Sequence, residues 1–285
     1  MTQVTIDEAL KNAVVRLSAA QSDSPSLDAA VLLCHVLDKP RSYLLTWPDR
    51  ALTEEQLASF DSLISQRSEG QPIAYIVGER EFWSLPLNVS KSTLIPRPDT
   101  ERLVEVSLEL LGTNSGNVLD LGTGTGAIAL AIASERSNVN VWGVDLQPEA
   151  VELASKNAKK LAISNAKFLC GSWFEPMKQF IDEKFQLIVS NPPYIDEADP
   201  HLLQGDVRFE PVTALVADEN GLADIRHIAS EAKLYLLPKG WVAFEHGYDQ
   251  GQPVREILSE LGYQNITTEK DYAGNDRVSF GQLEK

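Results

Sequence analysis

From Thr5 to Gln71 the apolar positions recur every three or four residues, the spacing that gathers one stripe on a helix face. Thr5 stands three residues before Glu8, and Thr53 three before Gln56, the pattern in which two side chains close the first turn of a helix reciprocally. Ser26 precedes an apolar run from Leu27 to Leu37 that predicts a further helix. The Leu and Ala residues of these segments read as the core of a small helical bundle rather than as a binding stripe. After Pro72 the period shortens. Residues 73–78 and 81–89 read as two strands of a hairpin. Beyond them short apolar runs alternate with helical patterns. Strands are expected over 118–121, 140–144, 166–169, 185–189 and 241–245, with two closing strands near Ile266 and Val278. Helices are expected after Gly126, up to Leu236, and from Gln252 to Leu261. Such alternation predicts an α/β domain whose seven-stranded, mostly parallel sheet carries one antiparallel strand. The expected division is a helical domain over 1–72, a β-hairpin connector over 73–92 and the α/β domain over 93–285.

Chemistry concentrates at the strand ends. The run 185–189 leads through Ser190 into Asn191-Pro192-Pro193-Tyr194, and open α/β sheets bind ligands at the carboxyl ends of their strands. Proline has no N–H and a fixed φ, so this loop is stiff and offers only acceptors at positions 192 and 193. The Asn191 side-chain oxygen and the Pro192 carbonyl suit the two hydrogens of one planar NH2 group. An amide or exocyclic amine is a poor nucleophile because its lone pair is delocalised. Accepting both N–H bonds returns electron density to nitrogen and fixes its lone-pair face, so that a methyl group can be delivered there by orientation and electrostatics without a strong base. Asn-Pro-Pro is also an ordinary turn sequence, and alone it does not separate the two readings.

A second motif changes the balance. Val118-Leu119-Asp120-Leu121 is followed by Gly122-Thr123-Gly124-Thr125-Gly126 and an alanine-rich helix, the arrangement in which glycines let the backbone approach a ligand closely. The spacing differs from the dinucleotide fingerprint, and no Gly-Lys-Ser/Thr follows. Asp120 beside the loop is expected to repel a pyrophosphate and to suit a cationic amino-acid ammonium, which S-adenosyl-L-methionine carries without any phosphate. Asp145 ends the next strand, where an acid commonly takes ribose hydroxyls. Its alternative is a helix N-cap before Pro148. Trp173, after the strand 166–169, is placed to cover an adenine ring or else to fill the core. His246 and His201 fall outside both motifs and are assigned structural or surface roles.

Charge narrows the partners. With 25 Lys+Arg against 41 Asp+Glu the formal net charge is −16, so the average surface repels duplex nucleic acid. Cys34 and Cys170 lie far apart in apolar stretches and are expected to be buried, reduced thiols. The acidic N-terminus lacks the basic and apolar regions of a signal peptide, and no apolar run reaches membrane-spanning length. A cytoplasmic protein with no membrane partner and no direct nucleic-acid partner is expected, and a monomer is favoured although the sequence does not determine it.

The chain resembles the protein-(glutamine-N5) methyltransferases that modify peptide chain release factors, the HemK or PrmC family. The resemblance runs through residues 71–78, Ile95-Pro96-Arg97-Pro98-Asp99-Thr100-Glu101, the glycine loop, Asn191 to Tyr194, Phe209-Glu210-Pro211 and Phe244-Glu245-His246-Gly247. It implies a Rossmann-like methyltransferase sheet joined by a β-hairpin to a small N-terminal all-α domain that docks a protein substrate. It implies S-adenosyl-L-methionine as cofactor, class I release factors as partners, and the glutamine of their Gly-Gly-Gln motif as acceptor. By position, Gly122, Thr123, Gly124, Thr125 and Gly126 would line the methionine part, Asp145 the ribose and Trp173 the adenine. Asn191, Pro192, Pro193 and Tyr194 would form the glutamine clamp, with Asn191, Pro192 and Tyr194 as its catalytic members and Asn191 touching the cofactor as well. Leu94 and Ile95 would wall the cofactor. Arg97 would share that wall or serve as an ion-pair partner, and Phe209-Glu210-Pro211 would close the pocket or anchor a loop. Ser172 stands where many relatives carry an acid, which weakens the adenine contact. A glutamine methyltransferase of a ribosomal protein, a nucleic-acid amino-methyltransferase and a non-catalytic scaffold are the rival readings.

Overall fold

The computed structural model describes residues 3–195, 199, 202 and 205–284, and the chain divides into two units, Met1–Glu79 with Leu203–Phe209, and Arg80–Leu202 with Glu210–Lys285. The first unit holds α1 (Ile6–Ala19), α2 (Pro25–Leu37), α3 (Arg41–Thr46), α4 (Glu54–Ser68) and α5 (Ile73–Val77). Both reciprocal caps form, Thr5 with Glu8 and Thr53 with Gln56, so the hydroxyl and the acid or amide satisfy orphan N–H groups at each helix start. Helix α2 begins at Pro25, one residue ahead of Ser26, because proline suits the first helical turn. Ile6, Leu17, Leu32, Leu33, Phe60 and Ile64 are buried together. An ion pair between the half-buried Arg67 and the buried Asp28, Nε to Oδ2 at 2.7 Å, ties α4 to α2.

One expected element differs in type. Residues 73–78 form helix α5 rather than a strand: the Pro72 carbonyl accepts from the N–H groups of Tyr75 and Ile76, and Gly78 closes the turn at φ +79°. Ile-Ala-Tyr-Ile-Val has no period that separates a buried strand from a buried helical turn, and the residues able to start and stop a helix flank it. The hairpin is therefore shorter than expected, with β1 (Glu79–Phe82) and β2 (Leu85–Asn88) joined at Trp83 and Ser84, both at positive φ.

The second unit continues with α6 (Glu101–Leu111), β3 (Gly116–Leu121), α7 (Ala127–Glu135), β4 (Val139–Asp145), α8 (Pro148–Lys160), β5 (Ala166–Cys170), β6 (Phe185–Ser190), the single turn α9 (Asp218–Gly221), α10 (Ala223–Ala232), β7 (Leu236–Glu245), α11 (Gly251–Glu260), β8 (Gln264–Lys270) and β9 (Asp276–Gln282). The seven strands run in the order β5-β4-β3-β6-β7-β9-β8, and β9 alone is antiparallel to its neighbours. Successive side chains of a strand point to opposite faces. Accordingly Val118, Leu187 and Val189 join the layer built on α6 and α7, while Leu119, Leu121 and Ile188 join the layer containing α10 and α11 residues. Burial on both faces is why the central strands read as unbroken apolar runs.

Chain order sets the ligand crevice. From β3 the chain steps outward through β4 to β5, then returns to pair β6 on the other side of β3. The strands stay paired to their last residues, Leu121 and Ser190, and the loops that leave them open a crevice at the point of reversal. Cys170 is exposed, contrary to expectation, and Cys34 half-buried. Cys170 ends β5, an outer strand of the sheet, where alternate side chains meet water. Among the described residues no helix is long and apolar enough to cross a membrane.

Candidate active site

A cavity of about 290 Å³ opens at the carboxyl ends of β3, β4, β5 and β6, and residues from all four following loops line it. The loop after β3 is clamped from below. Gly122 and Thr123 both donate N–H to the Val144 carbonyl, at 2.9 and 3.0 Å, and the Thr123 hydroxyl donates to Asp120 Oδ2 at 2.6 Å. Ala129 N–H reaches the same oxygen at 3.2 Å.

Asp120 is therefore a loop anchor. It is fully buried, does not line the cavity, and its Oδ1 makes no hydrogen bond among the described residues. Burial pushes its carboxyl up to about 7, against the Thr123 and Ala129 bonds. The acidic wall expected from Asp120 comes instead from Asp145 and Asp224, both of which face the cavity.

The glycines divide by role. Gly122 lines the cavity at φ +73°, and a Cβ there would touch Trp173 Cζ3 at 3.6 Å. Thr123, Gly124 and Thr125 line it too. Gly126 does not. It precedes α7 at φ +80°, where a Cβ would lie 3.1 Å from Ala154 and 3.2 Å from Leu130 and Phe168. Its glycine is required by packing between helices and sheet, a demand that sequence spacing cannot distinguish from ligand contact.

Asp145 ends β4 half-buried at the cavity edge. Oδ2 accepts from Gly124 N–H at 2.8 Å and Oδ1 from Gln147 N–H at 2.9 Å. Burial pushes its carboxyl up and those N–H groups oppose the shift. Gln147, not Asp145, caps α8. Trp173 lines the cavity and also packs against the core, so it meets the core reading while leaving an aromatic surface in the cavity. It sits at φ +45°, a conformation a bulky side chain rarely adopts and one typical of functional sites. Ser172 lines the cavity beside it.

Of the four loop residues after β6, Asn191 and Pro193 line the cavity; Pro192 is buried and Tyr194 is turned away. Asn191 Nδ2 donates to Thr100 Oγ1 at 3.3 Å, and the Tyr194 hydroxyl donates to Glu245 Oε1 at 3.3 Å. Burial raises the Tyr194 phenol above its usual range, with the Glu245 charge adding to it. The four were expected as one surface, but successive residues of an extended loop face opposite ways. Gln250 holds the same loop: its Nε2 donates to the carbonyls of Tyr194, at 3.0 Å, and Asn220, at 2.9 Å. No sequence motif singled out Gln250. Thr100 belongs to the 95–101 block, yet its contact with Asn191 spans 91 residues and only the fold brings it about.

Leu94, Pro96 and Arg97 line the cavity, while Ile95 is buried behind them and donates its N–H to Glu210 Oε2 at 3.1 Å. Arg97 also forms an ion pair with the buried Glu210 carboxylate. Wall and ion-pair partner are thus one residue, and Glu210 acts as a loop anchor. His246 is buried away from the cavity, with Nε2 2.8 Å from Ser279 Oγ, and His201 lies outside the described residues. Among the described residues no cluster of metal-ligating side chains occurs.

The donor set decides which ligands fit. Among the described residues lining the cavity, Arg97 is the only cation, and Glu210 neutralises it, while Asp145 and Asp224 carry acid. A pyrophosphate would meet no unpaired positive charge there. A cationic nucleoside would find an aromatic wall at Trp173, a carboxylate at Asp145 and backbone close by at Gly122, so these residues fit S-adenosyl-L-methionine.

Known families match both parts of the chain. The description PrmC N-terminal domain fits residues 8–78 and the description Methyltransferase domain fits residues 113–275. The chain is 66% identical over 279 residues to the release factor glutamine methyltransferase of Vibrio cholerae serotype O1, covering 98% of this chain and 97% of that one. It is 50% identical over 273 residues to the release factor glutamine methyltransferase of Escherichia coli, covering 96% and 97%. Among solved structures a methyltransferase from Pyrococcus furiosus matches 70% of this chain and 90% of its own, with TM-score 0.52 and 20% identity, a likeness of fold alone.

Proposed function

The chain belongs to the release factor glutamine methyltransferases, and from that premise we propose that it methylates the side-chain nitrogen N5 of the glutamine in the Gly-Gly-Gln motif of class I peptide chain release factors. The single observation that carries this reading is that Asn191, Asp145 and Trp173 line one cavity. An amide-sized acceptor and a cationic nucleoside are thereby served by the same space.

Bound S-adenosyl-L-methionine supplies a methyl group on a sulfonium, and direct in-line transfer breaks the S–CH3 bond, forms N–CH3 and leaves the electron pair on sulfur. Asp145 would take the ribose hydroxyls, Trp173 would cover the adenine with Ser172 at its edge, and Gly122 to Thr125 would pass the methionine part. Asn191, whose Nδ2 is occupied by Thr100, keeps its oxygen for an N–H of the acceptor. The Pro192 carbonyl, which does not line the cavity as it stands, would have to become accessible to take the second N–H once the acceptor sits beside Asn191. As nitrogen gains positive charge, these oxygens stabilise it more in the transition state than in the ground state. The methylated amide nitrogen is strongly acidic while cationic and passes its proton to water, so no dedicated base is needed. The distance of His246 from the cavity is consistent with that.

The test uses methyl-labelled S-adenosyl-L-methionine and a purified class I release factor, wild type and with the Gly-Gly-Gln glutamine replaced. Peptide mass spectrometry locates the label. Label on that glutamine, absent from the replaced protein, is expected; label elsewhere, or on ribosomal protein or nucleic acid instead, overturns the reading.

A further inference from the structure

Behind the loop that carries Asn191 lies an acid that the mechanism so far leaves unused. Glu245 ends β7, and because Ser190 pairs with Phe244 across the sheet, Glu245 stands level with Asn191. Its residue is 1% exposed. A carboxyl so deeply buried is costly unless it organises its surroundings. Oε1 accepts from the Tyr194 hydroxyl at 3.3 Å, the Thr100 hydroxyl faces the carboxyl and stabilises its charged form, and Oε2 has no hydrogen-bond partner among the described residues.

Thr100 is the shared atom of this arrangement. Its oxygen accepts the Asn191 N–H at 3.3 Å. A hydroxyl has one proton to give, and with Asn191 donating to it, that proton is free to turn toward the carboxylate. With that proton turned to the carboxylate, donation would run from Asn191 through Thr100 to Glu245, while Tyr194 donates to Glu245 directly at 3.3 Å. The two orientations of an Asn amide are almost the same shape, so hydrogen bonding alone selects between them. In the observed one the NH2 points back at Thr100 and the oxygen remains for the cavity. In the reversed one the NH2 would face the acceptor's own NH2, donor against donor.

We propose that Glu245 is a positioning residue for methyl transfer, holding through Thr100 the Asn191 amide orientation that presents its oxygen to the acceptor nitrogen, and holding Tyr194 directly. The proposal rests on the reading of Asn191 as the acceptor clamp. It also makes the clamp sensitive to one proton. Protonated Glu245 can donate to Thr100, which then donates to the Asn191 oxygen and reverses the relay. The charged and titratable groups facing Glu245 are Tyr194, Arg277 on β9 and Asp99 before α6, while the His246 ring turns to Ser279. Burial pushes the Glu245 carboxyl up to about 7, offset by Thr100, Arg277 and Tyr194.

The experiment measures kcat, both KM values and S-adenosyl-L-methionine affinity from pH 6 to 9 for the wild type, Glu245→Gln, Glu245→Asp, Thr100→Val and Asn191→Ala. Wild-type kcat is expected to fall on the acid side with an inflection near pH 7. Glu245→Gln should lose roughly tenfold to a hundredfold in kcat at pH 8, as misplaced reacting groups do, keep cofactor affinity within about threefold, and lose the acid inflection. Glu245→Asp should restore the inflection. Wild-type kcat with the inflection intact in Glu245→Gln, beside an inactive Asn191→Ala, overturns the proposal and leaves the clamp standing. Near-normal turnover in Asn191→Ala overturns the clamp itself. Should Glu245→Gln fail to fold, Thr100→Val cuts the same relay: a similar loss of kcat supports the proposal, and a wild-type kcat overturns it.

Discussion

The backbone N–H of Gly124 donates to Asp145 Oδ2 at 2.8 Å, so the end of β4 and the glycine loop after β3 are fixed to each other by the acid that faces the cavity. With Gln147 N–H on Oδ1 at 2.9 Å, each carboxylate oxygen is oriented and keeps a lone pair for an incoming hydroxyl. Asp145→Ala removes both loop support and ribose acceptor. We expect its affinity for S-adenosyl-L-methionine to fall about 10- to 100-fold, the worth of one or two hydrogen bonds to a charged group, as read by calorimetric titration. An unchanged affinity would contradict the ribose assignment.

Asn191→Ala separates binding from chemistry. The side chain is assigned chiefly to the acceptor, so cofactor affinity should stay within about threefold while kcat falls on the order of a hundredfold or more, the cost of deleting one oriented polar group at a transition state. Single-turnover kinetics with saturating release factor decide this.

Two glycines of one loop should respond differently. Gly126→Ala places a methyl group 3.1–3.2 Å from Ala154, Leu130 and Phe168 at φ +80°, and overpacking of this kind costs about 1–3 kcal/mol. Its thermal midpoint should drop while the folded protein binds cofactor normally, because Gly126 is off the cavity wall. Gly122→Ala instead puts its methyl group into the gap beside Trp173, so cofactor affinity should fall along with stability. Thermal melts with and without saturating cofactor resolve the pair.

Asp120 gives a pH signature. Its folded-state pKa of about 7 lies above the unfolded value of about 3.9. Its contribution to stability is thus full below the unfolded value and is lost as pH rises through about 7, where ionisation inside the fold is forced. Asp120→Asn can still accept from Thr123 and Ala129 but never ionises. The melting temperature of this variant relative to wild type should therefore improve from pH 5 to about pH 7 and level off above it. A difference that stays flat would mean that Asp120 does not titrate in this range.

Much of the molecule was legible in the chain because the signals were local. Both reciprocal helix caps depend on residues three apart, and the central strands announce themselves by apolar runs buried on both faces. One antiparallel strand was expected from strand succession, though not which one, and β9 takes that place; Asn191 fell at a strand end because the apolar run before it stops at Ser190. Where a signal was ambiguous locally, the reading failed: residues 73–78 carry apolar residues without a period, and proline before and glycine after them closed a helical turn.

What sequence alone determined was therefore the type and order of most elements and the loops that bear the chemistry, since periodicity, caps and glycines act over a few residues. Which side of each loop meets the cavity was settled by packing. It set Asp120 beneath the glycine loop and Asp145 and Asp224 at its wall, turned Tyr194 onto Glu245, and brought Thr100 to Asn191 across 91 positions. Those assignments depend on strand order and on burial from both faces of the sheet, and neither quantity exists until distant segments pack together.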